Sequence, residues 1–250
     1  MEVFRYCRCH TGRMVVERQV WRASDVQVSR ASLLFLFADR AVSRSRVSTR
    51  MRGHAGAPVP CTHHFVQLGP FEQLLVVWAL WELVADGYAT TEFAPGMRSL
   101  VPGRPAKPVL ALVPTNKSPE RRSLAASFAG AIPSGGSSAT NVVLNWTTER
   151  DPLPVFGVLR EVRPELVAAG LLGDRVKPPP RRRRWSLNLV MSGAEGHCDR
   201  IDSLSGRFDA VWREWQTFRE DEEKIVRGFK EGANRGLSCG AIICSGGGDG

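Results

Sequence analysis

A mainly α-helical fold interrupted by long irregular stretches rich in Pro, Gly and Arg is what this sequence predicts, and part of the chain is expected to be disordered. Three observations carry that reading. In the segment from Asp199 to Phe229, the residues Ile201, Leu204, Phe208, Val211, Trp215, Phe218, Ile225 and Phe229 recur at steps of three and four, with Glu222 at the one polar position. That spacing is a helix stripe, which a strand's two-residue alternation cannot produce. Twelve of the fifteen residues from Phe71 to Ala85 are apolar, enough for a helix buried on every side. Between Pro95 and Pro154, recurrent prolines forbid a long helix.

The elements are taken in chain order. Residues 1–60 contain eleven arginines, no lysine and four acids (Glu2, Glu17, Asp25, Asp39), a local balance of +7 within the total of +9. They are expected to form a weakly ordered, Arg-rich arm, with "ASLLFLFA" as one short buried strand or helix turn. The apolar run Leu33 to Ala38 begins too far along for a secretory signal and is too short for a membrane span. The excess of Arg and Ser over acids in the N-terminal segment resembles an organelle transit peptide in composition.

Residues 61–94 hold the expected core helix. Pro70 suits a first helical position, and Gly87 suits the left-handed stop after Asp86. At about 25 Å, and with Glu72 and Glu82 inside it, the helix falls short of a bilayer core of about 30 Å. No membrane span is expected.

Residues 95–154 read as an irregular Pro/Gly/Ser-rich region. Two apolar runs, Val109 to Val113 and Asn141 to Trp146, are expected to pair as a small two-stranded β element, and "IPSGGSSATN" between them is linker-like. Residues 155–185 read as one or two short helices, with Pro164 opening a new turn and Gly173 ending it. A basic segment follows, "KPPPRRRRW". Its three prolines are extended and hold Lys177, Arg181, Arg182, Arg183 and Arg184 away from the helices, with Trp185 able to stack on a base. Clusters of this kind bind import receptors and nucleic-acid phosphates.

Residues 199–231 are expected to form a long amphipathic helix, with Phe208, Val211, Trp215, Phe218 and Ile225 as its packing residues. At about 45 Å it invites a partner helix. That partner is the helix containing Trp78 and Trp81, a second copy of the chain, or another protein. Gly206 weakens its first turns, which are expected to fray or separate. Residues 232–250 read as a Gly-rich flexible tail.

Six cysteines in a chain without an evident export signal are expected to be reduced thiols. Two clusters, "CRCH" and "CTHH", offer Cys7, Cys9, Cys61 and His63 as a zinc-ligand set, at spacings unlike those of ordinary zinc knuckles, and Cys239 with Cys244 is a weaker pair. No cofactor is otherwise expected. The sequence has no G-x-S-x-G, H-E-x-x-H, Walker or dinucleotide-binding motif, so no reaction is indicated. Arginine outnumbers lysine 29 to 5, a skew that a G+C-rich coding region also produces.

The expectation is a non-enzymatic interaction or adaptor protein, nuclear or cytoplasmic. It would associate through residues 199–231 and bind nucleic acid weakly, without sequence preference, through its basic segment. Three alternatives stay open: a protein imported into mitochondria or plastids whose Arg-rich arm is cleaved, a small zinc-dependent module, and a lineage-restricted reading frame of no selected activity.

Overall fold

The computed structural model describes residues 2–8, 14–20, 23–45, 56–58, 61, 65–96, 107–150, 154–173 and 196–245. Of the described residues 66% are helical, which makes the fold mainly α, as the sequence predicts. Strands β1 (Glu2–Arg8) and β2 (Met14–Val20) form an antiparallel hairpin pairing Glu2 with Val20 and Arg8 with Met14. Helices α1 (Arg30–Leu36) and α2 (Ala38–Ser45) follow. Strands β3 (Gly56–Pro58) and β4 (Phe65–Gln67) make a second small pair, and α3 (Leu68–Ala85) is the central helix.

The third sheet is antiparallel, in the order β5 (Ala89–Ala94), β6 (Val109–Pro114), β7 (Ser137–Ser138). Helices α4 (Leu124–Ala129), α5 (Ala139–Arg150) and α6 (Pro154–Ala168) come next. The chain then forms α7 (Cys198–Ser203), α8 (Ser205–Asp221) and α9 (Glu223–Ser245).

Helix α3 is the centre of the core, as its composition requires. Phe71, Leu75, Trp78, Ala79, Leu80 and Leu83 are all fully buried. The helix stops at Gly87, whose φ of 72° is the left-handed conformation. There the Tyr88 N–H donates to the Leu83 carbonyl at 2.8 Å and the Gly87 N–H to Val84 at 3.0 Å, the paired bonds of a Schellman stop. The same stop ends α6 at Gly170, not at Gly173 (φ 67°; Leu171 N–H to Leu166 O, 2.9 Å).

Several expectations are corrected. Every residue from Ala31 to Ala38 is buried, as expected of "ASLLFLFA", but the run lies on two helices and not on a single strand or turn. An unbroken apolar run on two short helices cannot face water on any side, so α1 and α2 enter the core. The Asn141–Trp146 run is helical and does not pair with Val109–Val113. Ser138 accepts the Asn141 N–H at 3.1 Å as an N-cap, and Ala139, Val142, Val143, Trp146 and Thr147 bury one helical face. The partners of β6 are β5, with Ala89 opposite Pro114 and Ala94 opposite Val109, and the short β7. Helix α6 runs continuously through Pro164.

The long C-terminal helix is three helices. The chain leaves helical geometry at Leu204 (φ −88°, ψ 0°) and at Glu222 (φ −117°, ψ 41°). Glu222 is the one polar position in the stripe. Helix α9 then continues to Ser245, so much of the expected flexible tail is helical. Its glycines make this work: a β-carbon at Gly228 would stand 2.6 Å from Leu110 Cβ, at Gly232 2.8 Å from Ala139 Cβ, and at Gly236 2.6 Å from Val143 Cβ. Glycine every four residues forms a flat stripe that lets α9 lie backbone-close along α5 and β6.

Candidate functional site

The aromatic stripe of α8 packs on α3. Trp215 lies 5.3 Å from Trp81 and 5.9 Å from Trp78 between ring centroids, Trp212 5.6 Å from Trp78, and Phe218 6.1 Å from Trp81. Phe208 stacks on Phe37 of the N-terminal region at 4.8 Å. Phe208, Val211 and Trp215 are buried, while Phe218 and Ile225 are partly buried against the same core. All five packing residues named from the sequence thus join one intramolecular cluster.

Beside this cluster lies a buried polar site, where the start of α1 meets the end of α3 and the middle of α6. The loop before α1 presents Ser29 as N-cap, its hydroxyl accepting the Ser32 N–H at 3.2 Å. Glu82 of α3 accepts the N–H groups of Arg30 (2.9 Å) and Ala31 (3.4 Å) through one carboxyl oxygen. Glu165 of α6 accepts from the Ser29 N–H, from the Ser29 hydroxyl at 2.7 Å and from the Ser32 hydroxyl. Two carboxyls from distant helices therefore satisfy the first donors of α1, which have no intrahelical partner.

Arginines close the surroundings. The Arg30 guanidinium bonds Asp86 at 2.5 Å and lies 4.9 Å over the Trp81 ring. Arg207 of α8 donates to the carbonyls of Val26 (2.6 Å) and Val28 (3.0 Å), which ties α8 to the loop that leads into α1. An open cavity of about 250 Å³ borders the site, lined among others by Ser29, Glu82, Tyr88, Arg121, Glu165 and Arg207.

Burial governs the protonation of these groups. It pushes the Glu82 carboxyl up to about 8, against the opposing pull of the Arg30 charge and with a further push from Glu165. Glu165 is also raised by burial, although its bonds to Ser32 and Ser29 oppose the rise. Burial lowers Arg207, which the Glu165 charge partly counters. Glu82 consequently holds its proton at neutral pH. Chemically the site could act as an acid, but most of its donors and acceptors are engaged with one another and with backbone.

The basic residues singled out from the sequence, Lys177, Arg181, Arg182, Arg183, Arg184 and Trp185, lie outside the described residues. The chain on either side of them is described. Leu172 and Gly196 form an antiparallel bridge, and the His197 N–H donates to Leu171 O at 3.0 Å. The described residues before and after the undescribed stretch 174–195 are thus paired with each other.

Of the zinc-ligand set, Cys7 is on β1, while Cys9 and His63 lie outside the described residues. Cys61 is bonded to Cys198 as a disulfide, with 5.4 Å between α-carbons. This corrects the expectation that all six cysteines are reduced thiols, and a sulfur bonded to sulfur is not free to ligate a metal. Among the described residues no three His, Cys, Asp or Glu side chains converge to hold a metal ion. No described helix is long and apolar enough to cross a membrane.

No family model, curated protein or solved structure matches the chain.

Sequence reasoning missed the Glu82 and Glu165 site and the Cys61–Cys198 pair. A signal for the first was present: Glu82 is one of only two acids in a largely apolar helix, and a buried carboxyl needs donors. Sequence did not show that Ser29 to Ala31, more than fifty residues earlier, supply them. The disulfide had no signal, since its halves are 137 residues apart.

Proposed function

We propose that this protein is a non-enzymatic interaction protein: a helical body that carries the basic segment Lys177 to Trp185 to an anionic partner, with weak, sequence-independent nucleic-acid binding in the nucleus as its specific form. The observation that carries the reading is the pairing of Leu172 with Gly196, described residues on the two sides of that segment. Described residues on both sides of it belong to the packed body, Leu172 being buried and Ile201 lying in the core. Four consecutive arginines and Lys177 supply the charge.

A non-enzymatic role is supported by how the buried polar groups are used. The Glu82 and Glu165 carboxyls cap α1 and the Arg207 guanidinium binds two backbone carbonyls. Such internal satisfaction is what a structural polar cluster requires. The stripe of α8 is likewise spent within the chain, so the proposed contact with a partner rests on the basic segment and not on residues 199–231.

The reading is tested by replacing Arg181, Arg182, Arg183 and Arg184 with alanine and titrating a single-stranded oligonucleotide at several salt concentrations. Loss of four phosphate contacts should flatten the slope of log affinity against log salt by about 3, and a tagged variant should leave the nucleus. Equal slopes and equal distribution for variant and wild type would overturn the proposal.

A further inference from the structure

We propose that Cys61 and Cys198 form a reversible thiol–disulfide site, exchanging with small thiols of the glutathione class, that fastens the start of α7 to the body. This goes beyond the basic-segment reading and does not depend on it. Both cysteines are exposed, so a soluble thiolate can reach either sulfur. Their bond joins positions 137 residues apart, the turn before β4 and the first residue of α7.

What the bond fastens is narrow. Immediately before Cys198, Gly196 bridges Leu172 and the His197 N–H donates to Leu171 O. Two residues after it, Arg200 donates to the Gly170 carbonyl at 2.9 Å, and Ile201 then enters the core. Helix α7 is only six residues long, its N-cap residue His197 makes no side-chain capping bond, and a helix so short has little stability of its own. Its position is held by a few backbone contacts, by Ile201 and Leu204, and by the disulfide.

The exchange balances with a thiol RSH as reductant. RS⁻ attacks one of the two sulfurs, the Cys61–Cys198 bond breaks, and a mixed disulfide RS–S–Cys forms while the other cysteine leaves as thiolate. A second RS⁻ attacks the mixed disulfide and releases RSSR and the second thiolate. Two protons from solvent complete two thiols, so two electrons pass from two RSH to the protein. The reverse reaction uses RSSR as oxidant.

The full-length protein is equilibrated in glutathione buffers of graded ratio, alkylated and mapped by mass spectrometry. Limited trypsin digestion is then followed at the Arg200–Ile201 bond. The proposal expects one defined cross-link, Cys61 to Cys198, that titrates reversibly with the buffer ratio. It also expects cleavage after Arg200 on the order of tenfold faster in the reduced protein, because local opening sets the rate. Cys198→Ser should cut at the reduced rate in every buffer. Alkylation of Cys61 and Cys198 at all ratios, or cross-links scattered among the six cysteines, would overturn the site. A cleavage rate equal in the oxidised and reduced wild type would overturn its fastening role, whatever the fate of the Cys198→Ser variant.

Discussion

Glu82 accepts the backbone N–H of Arg30 at 2.9 Å, so that the end of the central helix caps the start of the N-terminal one across 52 positions of chain. The energetic consequence is a pH dependence. In the folded protein burial raises Glu82 from its ordinary 4.5 to about 8, whereas the unfolded chain releases the proton near the ordinary value. Between those two pH values the folded state binds the additional proton, so stability is greatest below about 4.5 in this respect, falls as pH rises, and levels off above about 8.

Glu82→Gln keeps the acceptor oxygen and removes the ionisation. The variant should lose part of the decline in melting temperature between pH 5 and 8 and exceed wild type at pH 9. Glu165 and Glu72 are also raised by burial, so some slope should persist. Parallel melting curves for the two proteins across pH would contradict the assignment.

The glycines of α9 make a second prediction. A side chain at Gly232 would press on Ala139, while Gly206 of α8 has open space within 4 Å of its missing β-carbon. Gly232→Val should therefore destabilise by about 1–3 kcal/mol or more through overpacking. Gly206→Ala should stabilise by up to about 1 kcal/mol, since alanine is the better helix former. Chemical denaturation of both variants checks the pair, and a neutral Gly232→Val would mean that α9 does not lie against α5.

The two glycine sites also show where sequence is legible and where it is not. Helix α3 and the α8 stripe could be read because their signals are local: apolar periodicity, a starting proline and a stopping glycine. The glycine spacing of α9 is equally local, but glycine's low helix propensity makes residues 232–250 read as a flexible tail. Only contact with Ala139 and Val143 makes those glycines useful, and that contact joins segments about ninety positions apart. Asn141–Trp146 reads as a strand for a related reason. Its valines favour strands in isolation, and burial on α4, α6 and α9 decides otherwise. The breaks at Leu204 and Glu222 preserve the three-and-four spacing, so the stripe alone reads as one helix. The candidate site was illegible because Glu82, Glu165 and Ser29 meet only in the folded chain.

A third prediction concerns the N-terminal region. Leu33, Leu34, Phe35 and Phe37 are buried, and Phe37 stacks on Phe208. Removing residues 1–60, as cleavage of a transit peptide would, strips α1 and α2 from the core and leaves the apolar faces of α3 and α6 uncovered. The truncated chain should lose its cooperative thermal transition and expose apolar surface to a hydrophobic dye. A truncated chain that melts as wild type does would show that this region is dispensable, as the cleaved-arm reading requires.

The central claim is that the α8 stripe packs on α3 within one chain, and Trp215→Glu tests it most directly. Trp215 is 4% exposed and touches both Trp78 and Trp81, so a carboxylate there has no partner and the lost ring leaves a cavity. Each effect costs several kcal/mol, roughly 3–5 for the truncation alone. Thermal melting followed by circular dichroism, with mass by light scattering, should show a large loss of stability with the wild-type protein already monomeric. A wild-type oligomer that the substitution converts to a folded monomer of undiminished melting temperature would contradict the account.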